Sequence, residues 1–178
     1  RVEGDWSNGA FFLTANRLGN NLDLRGLDPE SVQGDRAVLD MLSELDSGTP
    51  VISAADNPDL VPILAVAAAN LHGAVFTQIH RLRMKESDRV LSVLQMLQGL
   101  GGDAKADDNT LTVSARHLTG GVVDSFNDHR IAMSAAIAST VCRNTVTILG
   151  AQCVQKSYPG FWEVFRSAGG VYEQYLRQ

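Results

Sequence analysis

The spacing of hydrophobic residues alternates along this chain between two patterns. Runs with apolar residues three or four positions apart indicate helices, and shorter alternating or continuous apolar runs indicate strands. One helical run closes on Gly101 and Gly102, as helices often do. The order of elements predicts an α/β (α+β) protein. The predicted helices cover residues 5–19, 32–45, 57–73, 85–102, 127–142 and 157–170, and the predicted strands cover 20–27, 49–54, 74–80, 103–106, 109–114, 121–125, 144–150 and 171–176.

The same order of helix and strand comes round three times along the chain. Charged residues at the helix starts fall into near-register when the chain is shifted against itself, which indicates an internal repeat. We therefore predict one domain over residues 1–178, built from repeat units at approximately 1–55, 56–116 and 117–178. The shifts are 53 residues for Asp35-Arg36 onto Asp88-Arg89 and 71 residues for Lys85 onto Lys156.

Composition limits the functions to consider. Hydrophobic residues make up 44% of the chain and charged residues 20%, as in ordinary globular proteins. The net charge of −5 disfavours a broad nucleic-acid or membrane surface, and the most apolar run is interrupted by Pro62, Asn70 and His72. Cys142 and Cys153 have no metal-ligand spacing, so we expect reduced thiols in a cytoplasmic protein, with no metal, no nucleic acid and no membrane partner.

Cations stand at helix starts where the helix dipole disfavours them. Lys85 and Arg89 are four residues apart in the first predicted turns of one helix. A cation in that position costs roughly 0.3–1 kcal/mol, whereas an anion is stabilised. Arg36, Arg130 and Lys156 stand at other predicted helix starts. If these helices are parallel, their starts converge, and we predict a phosphate or carboxylate site built from Lys85, Arg89, Arg130 and Lys156.

Two acidic residues supply a second kind of chemistry, and each also has a simpler interpretation. Asp59 follows Pro58 at a helix start, where it can serve as a cap or, beside the converging cations, as a general base. Glu86 can neutralise its neighbours on a solvated helix face, or carry a proton. The recurrence of charged motifs at matching points of the repeat favours the functional interpretation.

Six segments, in order, resemble the enolpyruvyl transferase family over essentially the whole chain. They are VEGDWSNGAFFLTA, SVQGDRAVL, NPDLVPILAVAAA, LRMKESDRV, FNDHRIAM and KSYPGFW. The order of KESDR, NDHR and KSYP resembles the branch acting on shikimate 3-phosphate rather than the UDP-N-acetylglucosamine branch. The resemblance implies a fold of two similar domains, each of three βαβαββ units with the active site between them, of which this chain resembles the C-terminal domain alone.

The resemblance also implies a reaction and a set of site residues. Members of that branch transfer the enolpyruvyl group of phosphoenolpyruvate to the 5-hydroxyl of shikimate 3-phosphate and release phosphate without a cofactor. The implied catalytic residues are Asp59 as base, Lys85 and Glu86. The implied contacts of shikimate 3-phosphate are Asp59, Arg81 and Lys85. The implied contacts of phosphoenolpyruvate are Arg89, His129, Arg130 and Lys156. Gln33 and Asp35 are weaker candidates. Without its partner domain the chain is expected not to turn over.

Two departures from the family pattern bear on these expectations. The segment between the first two units is shorter than in most members, so we expect the first unit to lack a strand or two. Arg81 stands where many members carry Asn, and its role is left open. The alternatives are the UDP-N-acetylglucosamine branch, a phosphate-binding module without catalysis, and an RNA-end-processing protein, which the net charge of −5 disfavours.

Overall fold

Six α-helices and six short strands are present in the computed structural model, which describes residues 2–175. The helices are α1 (Trp6–Arg17), α2 (Val38–Asp46), α3 (Val61–Asn70), α4 (Arg89–Gly99), α5 (His129–Ser139) and α6 (Phe161–Ser167). The strands are β1 (Val51–Ser53), β2 (Ala74–Thr77), β3 (Ala104–Ala106), β4 (Thr110–Val113), β5 (Gly121–Asp124) and β6 (Val146–Leu149). Four 3₁₀ helices cover Gly34–Ala37, Pro58–Leu60, Ile79–Met84 and Ala151–Lys156. Of the helices in this part of the chain, none has the length and hydropathy needed to cross a bilayer.

Helices α1, α3 and α5 form the centre of the core. All ten residues of α3 are buried, as are the first ten of α5, and both helices are rich in alanine, whose small side chain lets helices approach closely. Arg130 at the start of α5 contacts Ser7 at the start of α1, and Asn20 beyond α1 donates to Thr140 beyond α5 at 3.1 Å. The two helices are therefore parallel.

Two small sheets lie outside these helices. The larger has the order β1-β2-β4-β3, with β1 parallel to β2 and the β3–β4 hairpin antiparallel to β2. Asp107 in the hairpin turn accepts hydrogen bonds from the backbone N–H groups of Asn109 and Thr110, as a turn aspartate does. The smaller sheet pairs β5 with β6 in parallel. The predicted α/β class and the predicted strands at 103–106 and 109–114 are confirmed.

The second and third repeat units share an unusual connection. In each, a four-residue strand leads through one left-handed residue, Gln78 (φ 56°) or Gly150 (φ 71°), into a six-residue 3₁₀ helix. The two 3₁₀ helices start at Ile79 and Ala151, a shift of 72 residues. This shift is one residue more than the shift of 71 that aligns Lys85 with Lys156, so these two lysines are near-equivalent rather than equivalent.

Two predicted strands are absent from the described residues. The segment 20–27 is extended but unpaired, because the Asn16 side chain binds both the N–H and the carbonyl of Leu22, at 2.7 and 2.9 Å. Residues 171–175 form no strand, because Tyr172 packs on Trp162, with ring centroids 5.2 Å apart. Leu176, the last residue of that predicted strand, lies outside the described residues.

Several helix starts differ from the predicted ones. The predicted helix at 85–102 begins at Arg89, because the Asp88 side chain accepts from the N–H groups of the first turn. Lys85 therefore lies in the connection before the helix, and the predicted strand through His80 ends at Thr77. The predicted helix at 157–170 likewise begins four residues later, at Phe161.

Replacing Gly99 with alanine should destabilise the fold, although alanine normally stabilises a helix by about 1 kcal/mol relative to glycine. A Cβ at Gly99 would stand 2.4 Å from the carbonyl oxygen of Val122, so α4 and β5 would have to separate. We expect the free energy of unfolding, measured in urea, to fall by about 1–3 kcal/mol. Gly160→Ala is the control, because a Cβ there meets open space, and it should change that free energy by less than about 0.5 kcal/mol.

Candidate active site

The starts of the three central helices meet at one surface. The polar residue before the first turn is Asp5, Asn57 and Asp128 in the three units. Two residues further on, the units carry Ser7, Asp59 and Arg130. The guanidinium of Arg130 donates to the hydroxyl of Ser7 and, at 3.2 Å, to the backbone carbonyl of Asp59. The helix starts that carry Asp59 and Arg130 therefore lie side by side, and the start of α1 with Ser7 lies beside them.

Arg89 joins two carboxylates below this surface. Its side chain is 2% exposed, with Nε 2.7 Å from Oδ2 of Asp128, Nη2 3.3 Å from Oδ1 of Asp128, and Nη1 2.6 Å from Oδ1 of Asp59. Asp128 is fully buried and also caps α5 by accepting from the N–H of Arg130 at 2.9 Å. The cation at the start of α4 is therefore compensated by two carboxylates at neighbouring helix starts.

Asp59 contacts three cations, more than any other carboxylate of the cluster. Lys85 Nζ lies 2.9 Å from its Oδ1, and Arg130 Nη2 lies 3.8 Å from its Oδ2. Burial alone raises the pKa of Asp59, but Arg130, Lys85 and Arg89 together lower the pKa below its ordinary value of 3.8. Asp59 is therefore ionised at neutral pH while a third of its side chain stays accessible.

Asp128 is ionised for a related reason. Burial raises the pKa of this carboxyl, yet the hydrogen bonds and charge of Arg89, the N–H of Arg130 and the hydroxyl of Ser87 lower that pKa below its ordinary value. A buried carboxylate with these partners is charged and hydrogen-bonded on both oxygens. Its place beneath the accessible residues makes it a support for the cluster rather than part of its outer surface.

Glu86 and His129 form a pair at the edge of the cluster. Nδ1 of His129 lies 2.8 Å from Oε2 of Glu86, whose side chain is 40% exposed. Burial lowers the pKa of His129 below its ordinary value of 6.5, and the charge of Arg130 lowers it further, against the opposing effect of Glu86. The imidazole is therefore neutral at neutral pH, hydrogen-bonded to an accessible carboxylate.

A titration by NMR tests the state of this histidine. We expect the pKa of His129 to lie below 6.5, and Glu86→Gln to lower it further because Glu86, ahead of Asp128, is the larger of the two charges that raise it. The linked effect on stability follows from the sign of the shift: His129 opposes folding as the pH falls below its ordinary pKa. A His129 pKa above 6.5, or one that rises in the Glu86 variant, would contradict this arrangement. His129→Gln assigns the resonance.

Lys156 contacts the strained loop that precedes the cap of α5. Phe126 and Asn127 both have left-handed backbone angles, with φ of 52° and 57°, immediately before the cap of α5. Lys156 Nζ donates to the carbonyl of Asn127 at 3.0 Å. Two consecutive non-glycine residues in this conformation are uncommon, and such strain is often stored at functional sites. The lysine side chain is exposed, so its charge faces solvent beside the start of α5.

The other sequence candidates lie at the margin of the cluster or outside it. Arg81 donates to the carbonyl of Ala55, in the loop that leads to Asp59. Gln33 accepts from the N–H of Trp6 at 2.9 Å and donates to the carbonyl of Gly4 at 3.0 Å, a structural role. Asp35 accepts from Asn57 beside the cluster, where its charge acts to raise the pKa of Arg130. Arg36 is exposed and donates to the carbonyl of Pro29, away from the cluster.

Three members of the cluster also have the atom types of a metal site. One ligand atom from each of Glu86, Asp128 and His129 lies within 4.8 Å of the others. The buried guanidinium of Arg89 donates to both oxygens of Asp128, and Nδ1 of His129 is already hydrogen-bonded to Glu86. These donor atoms already have partners, and a cation beside Arg89 would be repelled, so we assign no metal to them.

Sequence reasoning did not assign Asp128 or Ser7 to the site. Asp128 caps α5 with one oxygen and holds Arg89 with the other. Asp128 lies at a fully buried helix start. Its contact with Arg89 can be recognised only when α4 and α5 are placed side by side. Ser7 carries no charge, and its equivalence to Asp59 and Arg130 follows from the repeat.

Solved structures define the class of fold. A crystal structure described as EPSP synthase from Acinetobacter baumannii superposes with a TM-score of 0.82, covering 97% of this chain and 47% of that one, at 24% sequence identity. A second structure from the same organism gives a TM-score of 0.81 at 22% identity. The fold is therefore that of about half of a two-domain enolpyruvyl transferase, as the resemblance implied.

Sequence comparison defines the family. The model of the family EPSP synthase (3-phosphoshikimate 1-carboxyvinyltransferase) matches residues 1–165. Proteins named 3-phosphoshikimate 1-carboxyvinyltransferase from Clostridium novyi and Clostridium acetobutylicum are 41% and 40% identical, over 98% and 96% of this chain and 44% of each of those proteins. The chain belongs to the EPSP synthase family. It spans somewhat less than half the length of these relatives.

Proposed function

We propose that this chain is one half of an enolpyruvyl transferase that moves the enolpyruvyl group of phosphoenolpyruvate to the 5-hydroxyl of shikimate 3-phosphate and releases phosphate. The observation that carries the proposal is the ionised, accessible Asp59 held among Lys85, Arg89 and Arg130 in a member of the EPSP synthase family. The names of the relatives favour shikimate 3-phosphate over UDP-N-acetylglucosamine as the acceptor.

Asp59 is the proposed general base on the 5-hydroxyl. Its lowered pKa keeps it ionised, so it accepts the hydroxyl proton as the oxygen attacks the enol carbon. Lys85, bonded to the same carboxylate and 27% exposed, is the proposed contact to the shikimate ring and a partner in proton handling. Arg81 beside Ala55 is the proposed contact to the 3-phosphate, where a guanidinium forms stronger hydrogen bonds than an amide.

Glu86 is the proposed proton carrier to the methylene carbon of phosphoenolpyruvate. Its accessible carboxyl is hydrogen-bonded to the neutral imidazole of His129. The imidazole can accept a proton from Glu86 or return one to it, so that Glu86 regains its starting protonation state after each turnover. This acid–base addition and elimination through a tetrahedral intermediate uses side-chain groups alone, and we propose no metal or organic cofactor for it.

Arg89, His129, Arg130 and Lys156 are the proposed contacts of phosphoenolpyruvate. A guanidinium carries five N–H groups, and three of those on Arg89 contact Asp59 and Asp128, which leaves two for an anion. Lys156 supplies an accessible ammonium beside the start of α5. Arg89 is thus proposed to orient both the base and the anion.

The balance of charge supports a site that is completed by another domain. The cluster holds four cations, Lys85, Arg89, Arg130 and Lys156, against three carboxylates, Asp59, Glu86 and Asp128. One excess positive charge is small compared with the negative charge of two phosphorylated substrates, one of which also carries a carboxylate. We therefore propose that the remaining half supplies further cations and that the chain alone does not turn over. The cytoplasm, without nucleic-acid or membrane partners, is the proposed setting, consistent with two free thiols.

Growth complementation tests the function. The joined protein is the Clostridium novyi relative in which this chain replaces the matching 44%. We expect it to restore growth without aromatic amino acids to bacteria that lack their own 3-phosphoshikimate 1-carboxyvinyltransferase, whereas the chain alone does not. Arg36→Ala, outside the cluster, is the matched control and should grow as well as the parent. A folded joined protein can instead fail to restore growth yet release phosphate from phosphoenolpyruvate when UDP-N-acetylglucosamine is the acceptor. That result would place the chain in the amino-sugar branch.

A further inference from the structure

Two serines beside the cluster have no part in the proposed reaction. The hydroxyl of Ser87 donates to Oδ2 of Asp128 at 3.1 Å, and the hydroxyls of Ser92 and Ser87 are 2.9 Å apart. Asp128 is ionised and only accepts, so the single proton of the Ser87 hydroxyl is used in the bond to Asp128. Ser92 is therefore the donor in its contact with Ser87, and these hydrogen bonds run in one direction, from α4 to Asp128.

Ser87 lies in the short loop that carries two of the proposed catalytic residues. Residues 85–88 connect the 3₁₀ helix Ile79–Met84 to α4, and Lys85 and Glu86 are the first two of them. In the described part of the chain, residues 85–87 make no backbone–backbone hydrogen bond. Polar side chains therefore fix this loop against the starts of α3 and α5.

Three polar side-chain contacts join the loop to those helix starts: Lys85 with Asp59, Glu86 with His129, and Ser87 with Asp128. In the proposed reaction the first two contacts change during turnover, because Lys85 and Glu86 handle protons. The third contact involves no substrate and no transferred proton. Its acceptor is fully buried and is held by Arg89, so this contact stays in place while the other two change.

We propose that Ser87 is a positioning residue, whose hydrogen bond to Asp128 holds the loop so that Lys85 and Glu86 face Asp59 and the substrates. Ser92, which is buried in the first turns of α4, acts through Ser87 by keeping its hydroxyl directed at Asp128. The inference rests on the proposed function, since it takes Lys85 and Glu86 to be catalytic. It adds a hydroxyl that touches no substrate and yet determines the rate.

The hydroxyl of Ser87 is not needed for the local fold. Asp88 already caps α4 by accepting from two N–H groups of its first turn, at 3.1 and 3.2 Å. Asp128 is already bonded on both oxygens, by the guanidinium of Arg89 and by the N–H of Arg130. Neither the helix cap nor the buried carboxylate depends on Ser87, which leaves the loop as the part of the structure that its hydrogen bond holds.

A titration of His129 in the chain alone tests this anchor without any turnover. Glu86 raises the pKa of His129 against the effects of burial and of Arg130, so a loosened loop weakens the contact with Glu86 and lowers that pKa. We expect Ser87→Ala to lower the pKa of His129, and by less than Glu86→Gln does. Ser87→Thr keeps the hydroxyl and should retain the parent value. An unchanged pKa in Ser87→Ala, or equal values in the alanine and threonine variants, would overturn the anchor.

The rate of the joined protein tests whether the anchor serves catalysis. We expect Ser87→Ala to lower kcat by about 10-fold, because displaced catalytic groups slow the reaction steeply, and to change each KM by less than about threefold. Ser87→Thr should keep the parent kcat within about twofold. The control is Ser114→Ala, which removes an exposed serine–aspartate hydrogen bond of 2.8 Å, to Asp103, and should leave kcat and KM unchanged. A raised KM for phosphoenolpyruvate with an unchanged kcat would overturn the positioning role.

A double-mutant cycle tests whether Ser92 acts through Ser87. We expect Ser92→Ala to lower kcat by about two- to fivefold in the parent and to have no further effect in the Ser87→Ala background. Equal losses in both backgrounds would refute an action through Ser87. Should Ser87→Ala not fold, Ser92→Ala alone still decides: if neither kcat nor the pKa of His129 changes in that variant, the chain of hydroxyls has no positioning role.

The two measurements separate this inference from the proposed function. A joined protein that turns over, with kcat and the pKa of His129 unaffected by Ser87→Ala, would refute the inference and leave the function standing. A lowered pKa of His129 in Ser87→Ala, combined with a folded joined protein that releases no phosphate, would refute the function. The anchor would then hold the loop but serve no reaction, and the positioning role would fall with the function.

Discussion

Replacing Asp128 with asparagine is expected to lower the free energy of unfolding of the chain by about 3–5 kcal/mol, as removal of one partner from a buried ion pair does. Asparagine retains a cap for α5 but leaves Arg89, whose side chain is 2% exposed, without the charge that both Nε and Nη2 contact. Urea denaturation of the purified chain measures the change. Asp40→Asn, on the exposed surface of α2, is the control and should cost less than about 0.5 kcal/mol.

A double-mutant cycle shows whether the loss belongs to the pair. Arg89→Met alone leaves Asp128 buried and unpaired, whereas Arg89→Met with Asp128→Asn removes both charges, so the double variant should lose less than the sum of the two. The pH dependence has a defined sign: because the pKa of Asp128 is lowered, its contribution is present above its ordinary value of 3.8 and lost as the pH falls further. Additive losses, or a single loss below about 1 kcal/mol, would mean that Arg89 does not depend on Asp128.

Replacing Asp59 with asparagine is expected to lower the turnover rate of the joined protein by a factor on the order of 10²–10⁴, the usual contribution of a general base. The amide keeps a hydrogen-bonding oxygen near Lys85 and Arg89 but cannot accept the hydroxyl proton. Steady-state phosphate release with both substrates saturating gives the rate. Because asparagine removes the charge without opening a cavity, the variant should fold.

Two controls separate chemistry from binding in that variant. Asp40→Asn changes an exposed carboxylate on α2, away from the cluster, and should keep the parent rate within about twofold. The KM for phosphoenolpyruvate should change less than the rate, since Arg130 and Lys156 are untouched. An Asp59→Asn variant with at least half of the parent rate would remove Asp59 from the role of base.

The convergence of helix starts was predictable from the sequence because its signal is local. A cation at a helix N-terminus is mildly unfavourable alone, and its recurrence at Arg89 and Arg130, with Lys85 just before α4, indicates a shared anion. The group that compensates Arg89, however, is a pair of carboxylates from two other helix starts. That pairing depends on how α3, α4 and α5 pack against one another, which no spacing within one helix reveals.

Other predictions failed where tertiary contacts override local pattern. The alternating residues of 20–27 suit a strand, but the Asn16 amide satisfies the backbone of Leu22 in place of a neighbouring strand. Arg36 shares the Asp-Arg pair of Arg89, and its 3₁₀ helix contacts Asn57 before α3, yet its side chain donates to the carbonyl of Pro29. The repeat in sequence therefore predicts equivalent positions, and the packing decides which of them meet.

Phosphate release tests most directly whether the cluster around Asp59 is half of an active site. Release from phosphoenolpyruvate in the presence of shikimate 3-phosphate is measured for the chain alone and for the joined protein at equal concentration. We expect release by the joined protein when both substrates are present, and release below one hundredth of that rate, as an order of magnitude, from the folded chain alone. Comparable release by both proteins would contradict the claim that the site is shared, and release that needs no shikimate 3-phosphate would contradict the proposed reaction.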